Sequence, residues 1–162
     1  MMLQVHDEVV ETIIDKYSDT IFKICMVYLK NKPDAEDALQ EVFVKVIEKA
    51  PKFNSDNHQK AWIIRVASNH CRNVLKSKKY RIAVSLDENI LADDSSTEDK
   101  EILHAIFNLP LDYRKVIYLY YYEGYSTKEI AAITAKREST IRSNLKRARE
   151  KLKQGLGGDS FE

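Results

Sequence analysis

Eight lysines and arginines crowd into residues 136–153 against two acids, Glu138 and Glu150. At about 100° per residue on a helix, Ile141, Leu145, Ala148 and Leu152 cluster on one side. Ser139, Arg142, Ser143, Lys146 and Arg147 cover the other. Guanidinium forks match guanine, serine hydroxyls adapt to several base edges, and the remaining cations suit phosphates. The chemistry is duplex DNA recognition; the plainer alternative is an ordinary solvated amphipathic helix.

A second basic stripe runs through residues 58–79. Arg65, Asn69, Arg72, Lys76 and Lys79 fall within about 80° of one another, opposite Ile63, Val66, Ala67, His70, Cys71 and Val74. Trp62 and Asn73 lie at its edge, and Phe53 with the loop 54–57 comes just before it. Aromatic faces and amides beside a cationic track are the parts that hold unpaired bases. Trp62 reads equally as core and as base contact, and Phe53 reads more readily as core. A third group, Asp37, Gln40 and Glu41 around Val44, makes an acidic face opposite Ala35, Ala38, Leu39, Val42, Phe43, Val46 and Ile47. By itself it is an unremarkable solvated surface.

Catalytic and metal chemistry find no such support. There is no Gly-rich phosphate loop, nucleophile elbow or Ser/His/Asp constellation, and His70 beside Cys71 reads as core rather than as a metal pair. Cys25 and Cys71 lack CxxC spacing, so neither a disulfide framework nor a zinc site is indicated. The longest apolar run, residues 116–122, is far too short to span a bilayer. The acidic start lacks the pattern of a signal peptide. The expectation is a soluble, intracellular protein without metal or cofactor.

The elements that position these groups are helical throughout. Apolar residues recur every three or four positions over residues 5–29, 34–49 and 58–79, and again over 99–107, 112–123, 126–134 and 137–153. Ser126 and Glu129 form a capping box, and Gly124 suits a helix end. Tyr118, Tyr120, Tyr121, Tyr122 and Tyr125 read as a hydrophobic helix beneath the basic one rather than as stacking residues. Formal charge is +1 overall but runs +2 over residues 1–80, −5 over 81–105 and +4 over 106–162. This acidic bridge predicts two modules and a linker, with the sequence DDSST at its centre. A short helix, a tight turn and a longer basic helix is a helix-turn-helix.

The sequences STKEIA at 126–131, STIRS at 139–143 and KRAR at 146–149 resemble region 4 of extracytoplasmic-function (ECF) sigma factors of the sigma-70 family. LPLDYRKV at 109–116 resembles the lead-in to that region. Independently, DAEDALQEVF at 34–43 is similar to the family's region 2 helix, and AWIIRVASN at 61–69 to its strand-separating segment. The resemblance spans nearly the whole chain.

It implies an all-α fold of two small helical domains: region 2 at 1–80, a flexible acidic linker at 81–98 and region 4 at 99–162. It implies a non-enzymatic factor that binds core RNA polymerase and directs promoter-specific initiation in the bacterial cytoplasm, at the nucleoid. Ser139, Arg142, Ser143, Lys146 and Arg147 would read duplex −35 DNA. Phe53, Asn54, Trp62, Arg65, Asn69, Arg72 and Lys76 would hold the melted −10 element, with the loop and Asn69 capturing a flipped base. Asp37, Gln40, Glu41 and Val44 would meet the β′ clamp coiled coil, and region 4 the β flap. Family members are commonly sequestered by a membrane-linked anti-sigma factor; no direct membrane insertion is expected. The sequence departs from the family where Ser139 replaces a usual Gly, and at Asn144 and Lys146, positions that bear on promoter choice. A stand-alone helix-turn-helix regulator is the rival reading, and it leaves the acidic face and the Asn-bearing stripe unexplained.

Overall fold

The protein is described by a computed structural model over residues 2–77 and 97–156, with side chains over 11–77 and 100–155. The chain divides into two compact units, Met1–Val84 and Ser85–Glu162. Most of the expected linker lies outside the described residues, as do Lys79 and the tail beyond 156. Every regular element among the described residues is helical.

Unit 1 packs three helices pairwise: α1 (Met2–Leu29), α2 (Lys32–Lys49) and α3 (Asp56–Lys76). Its core takes Ile13, Tyr17, Ile21, Ile24 and Leu29 from α1, Ala35, Ala38, Val42 and Val46 from α2, and Ile63, Ile64 and Ala67 from α3. Removing one such aliphatic side chain from water stabilises the fold by about 1.5–3 kcal/mol. Lys30 adopts a left-handed conformation (φ 60°) and ends α1. Asn31 then caps α2, its Oδ1 accepting the Asp34 N–H at 3.0 Å, and Pro33 fits the first turn, where no backbone donor is needed.

Two readings of the apolar faces need correction. Ile47 is 38% exposed; it lies in the last turn of α2, about 100° beyond the buried Val46. On α3, Ile64 and Ser68 are buried while Val66, His70 and Val74 are only half-buried. The buried side is thus rotated toward residue 64. Cys25 and Cys71, distant in sequence, are both fully buried and adjoin. Hydrogen bonding to Cys25, and then burial, push the Cys71 thiol well above its ordinary value, which keeps it protonated.

Unit 2 comprises α4 (Thr97–Phe107), α5 (Leu111–Ile117) continuing into a π-helical turn (Tyr118–Tyr122), α6 (Thr127–Thr134) and α7 (Glu138–Leu156). Between α4 and α5 the chain turns a corner at Leu109-Pro110. Arg114, 5% exposed, pins it by donating through Nη1 to the Leu109 carbonyl at 2.9 Å and the Phe107 carbonyl at 3.4 Å. In the π turn the Glu123 N–H reaches the Tyr118 carbonyl at 3.2 Å, one residue further back than in an α-helix. Gly124, at φ 76°, then allows the Tyr125 N–H to close onto Leu119 O at 3.0 Å.

This wide turn corrects the reading of the tyrosines. Tyr118 is buried, but Tyr121 and Tyr122 are 36% and 51% exposed. An extra residue per turn rotates part of the run away from the core. Tyr122 instead stacks on Tyr118, with centroids 5.8 Å apart, and Arg149 Nε donates to the Tyr121 hydroxyl at 2.6 Å.

Candidate nucleic-acid interface

The helix-turn-helix begins at Ser126, whose Oγ accepts the Glu129 N–H at 3.1 Å while Glu129 Oε1 accepts the Ser126 N–H at 3.0 Å. Two of the donors at the start of α6 are thereby satisfied. These bonds, the one to the backbone foremost, hold the Glu129 carboxyl below its ordinary value. Ala135, left-handed at φ 55°, stops α6 and opens the turn into α7. Thr127 Oγ1 donates to Glu138 Oε1 at 3.2 Å, tying the start of α6 to the first turn of α7.

On α7 the inward set is buried as expected: Ile141, Leu145, Ala148 and Leu152 are each at most 4% exposed. Packing these four fixes the helix rotation, which leaves Ser139, Arg142, Ser143, Lys146 and Arg147 on the solvent side. Arg142 Nη1 lies 3.8 Å from Glu138 Oε1, a loose, largely solvated pair that a stronger acceptor can replace.

In unit 1 the structure brings the loop residues and the α3 stripe together. Ser55 caps α3, its Oγ accepting the His58 N–H at 3.1 Å. Phe53 and Trp62 are half-buried with ring centroids 5.5 Å apart, so each keeps part of its face open. Asn54, Arg65, Asn69, Arg72 and Lys76 are exposed. Arg72 Nη2 donates to Asn69 Oδ1 at 3.2 Å. The loop is braced from α1: Lys16 Nζ lies 3.3 Å from Asp56 Oδ1, and the Tyr17 hydroxyl donates to Gln59 Oε1 at 3.0 Å.

The first turn of α3 also contains a residue that sequence reasoning missed. The Asn54 N–H donates to His58 Nδ1 at 3.2 Å, and the His58 ring stands edge-on to Phe53 at 5.4 Å. Its position offered a signal, since eleven residues on a helix return to within about 20° of the same direction. His58 therefore shares the face of Asn69.

On α2, Asp37, Gln40 and Glu41 are exposed beside Val44 at 48%, and the exposed Ile47 extends the apolar centre of that surface. Nearby, Lys45 Nζ sits 3.2 Å from His70 Nδ1, linking α2 to α3. Burial, and secondarily Lys45, lower the affinity of His70 for a second proton, so its ring accepts from the lysine. Among the described residues no group of three or more His, Cys, Asp or Glu side chains could hold a metal, and no helix is long and apolar enough to cross a membrane.

Residues 13–81 match the family profile of Sigma-70 region 2, and residues 99–152 that of Sigma-70, region 4. The chain is 29% identical to the ECF RNA polymerase sigma factor SigW of Bacillus subtilis, over 89% of this chain and 87% of that protein. It is also 29% identical to SigM of the same organism, over 89% and 93%. In fold it resembles the sigma factor RpoE solved with the anti-sigma factor NepR from Bartonella quintana, with a TM-score of 0.76 and 22% identity over 92% of this chain and 97% of that one. It likewise resembles CnrH solved with the cytosolic domain of CnrY, with a TM-score of 0.70 and 22% identity over 95% and 91%. The two profiles fall in family order on the two units, and the chain belongs to the ECF sigma factors of the sigma-70 family, non-enzymatic factors of promoter-specific transcription initiation.

Proposed function

We propose that the two units divide the work of promoter recognition, joined by the segment 81–98. Unit 1 binds core RNA polymerase through Asp37, Gln40, Glu41 and Val44, the β′ clamp coiled coil being the partner surface. Its α3 stripe, with Phe53, Asn54, Trp62, Arg65, Asn69, Arg72 and Lys76, holds the melted −10 strand. Unit 2 touches the β flap and reads duplex −35 DNA with Ser139, Arg142, Ser143, Lys146 and Arg147. The observation that carries this reading is the rotation of α2, α3 and α7: the recognition residues on each helix lie away from its buried side, and Phe53 and Asn54 lie in the loop that leads into α3.

The acidic α2 face separates this function from that of a stand-alone DNA-binding regulator, which has no use for a polymerase-binding surface. Because RpoE was solved with an anti-sigma factor and CnrH with the cytosolic domain of CnrY, we include an anti-sigma factor among the partners of this chain, which acts in the cytoplasm with the polymerase. Run-off transcription with purified core polymerase, with sequencing of the start sites, tests the proposal. Sigma activity yields discrete starts behind shared −35 and −10 elements, whereas a stand-alone regulator yields none.

A further inference from the structure

Two side-chain contacts and one backbone contact fix His58 at the mouth of the loop. Its own N–H is held by Ser55 Oγ at 3.1 Å, its ring stands at 78° to that of Phe53, and its Nδ1 accepts the Asn54 N–H at 3.2 Å. A ring whose Nδ1 accepts carries its proton on Nε2. The residue is exposed, so this donor sits on an accessible ring. At about 100° per residue, His58 is within about 20° of Arg65 and Asn69 and in line with Lys76. The stripe on α3 therefore starts one aromatic residue earlier than its cations do, beside the half-open faces of Phe53 and Trp62. Stacking on such faces tolerates any base; discrimination needs a polar group at the base edge.

We infer that His58 is a specificity-determining residue: its Nε2–H donates to a ring nitrogen or carbonyl oxygen of an unpaired −10 base, while Nδ1 holds the loop that receives it. This rests on the −10 role proposed for α3. Asparagine places an acceptor near the Nδ1 position and keeps the loop bond without the outer donor; glutamine places an amide N–H near the Nε2 position. Being exposed, the site accepts both substitutions without loss of core packing.

Full-length wild type, His58→Asn and His58→Gln are assembled with core polymerase on a promoter recovered from start-site sequencing. Affinity is measured on pre-melted templates with each −10 base varied in turn. His58→Asn is expected to lose roughly three- to tenfold preference at one base position, the range of a single hydrogen bond, with His58→Gln retaining most of it. Wild-type preference throughout in His58→Asn, or equal loss in both variants, overturns the contact. Failure of the wild type to prefer any −10 sequence instead overturns the −10 role of α3.

Discussion

Arg72 Nη2 donates to Asn69 Oδ1 at 3.2 Å, one turn apart on the exposed side of α3. The bond engages the acceptor end of the Asn69 amide and leaves its NH₂ group to face a ligand. In the −10 role proposed for it, Asn69 presents an oriented donor to an unpaired base. Asn69→Ala should reduce open-complex formation on a duplex promoter and have a smaller effect on a template already mismatched around −10. Run-off transcription from the two templates measures both; equal defects on the two indicate a structural role.

Arg142 has only a loose partner in Glu138, at 3.8 Å, to exchange for DNA. If it makes a bidentate contact with guanine, Arg142→Ala costs roughly 1–3 kcal/mol and relaxes preference at one −35 position. A phosphate contact behaves otherwise: its loss weakens every sequence alike and lowers the salt slope by about one. Selection from randomised duplexes, repeated at two salt concentrations, separates these outcomes. Base reading is expected.

For the polymerase surface, Glu41→Lys and Val44→Asp should weaken core binding while leaving the fold intact, since both positions are exposed. Ile47→Asp tests whether the interface extends to the neighbouring exposed apolar residue. Competition against a labelled sigma factor for core polymerase measures all three. Undiminished binding by Glu41→Lys together with Asp37→Lys removes this face from the proposal.

The capping box makes α6 sensitive to acid. Hydrogen bonds from Ser126 lower the Glu129 carboxyl in the folded state. Their stabilisation is complete above the value of the unfolded carboxyl and fades as pH falls through the lower, folded one. The stability advantage of wild type over Glu129→Gln should therefore be constant near neutrality and shrink below about pH 4. Ser126→Ala should cost about 1 kcal/mol at neutral pH, read from thermal unfolding of the full chain.

Arg114→Met should destabilise unit 2 by about 1–3 kcal/mol, because it leaves the buried carbonyls of Phe107 and Leu109 without their donor. Denaturant unfolding followed by tyrosine fluorescence, which unit 2 supplies through its aromatic run, measures it. Unchanged stability would mean that water replaces the guanidinium at this corner.

The helix-turn-helix was legible in sequence because its signals are local: a cap at Ser126, a capping partner three residues on, and a four-residue apolar stripe on α7 that is buried as its spacing implies. The α2 face was legible for the same reason, apart from Ile47. What sequence left out is tertiary. Nothing local announces that Arg114 turns inward to carbonyls five and seven residues back, or that Cys25 meets Cys71 across two helices. The contribution of His58 depends on a loop bond that periodicity over the apolar residues does not register. The tyrosines depart from a buried helix because the π turn, which no local signal marks, leaves Tyr121 and Tyr122 exposed.

That turn has an evolutionary consequence. A π segment is an α-helix carrying one inserted residue, so the stretch Tyr118–Tyr122 is where the chain can lose a residue and still remain helical. Such a deletion would return the backbone to ordinary pitch and, because the wide turn already holds the extra residue within one revolution, leave the segments on either side nearly in phase. Arg149, bonded to Tyr121 at 2.6 Å within the turn, would have to find a new partner, while the packing of α5 against α7 would persist. Length variation within this stretch is thus absorbed where it occurs, and relatives can gain or lose a residue beneath the basic helix without altering one residue on its exposed face.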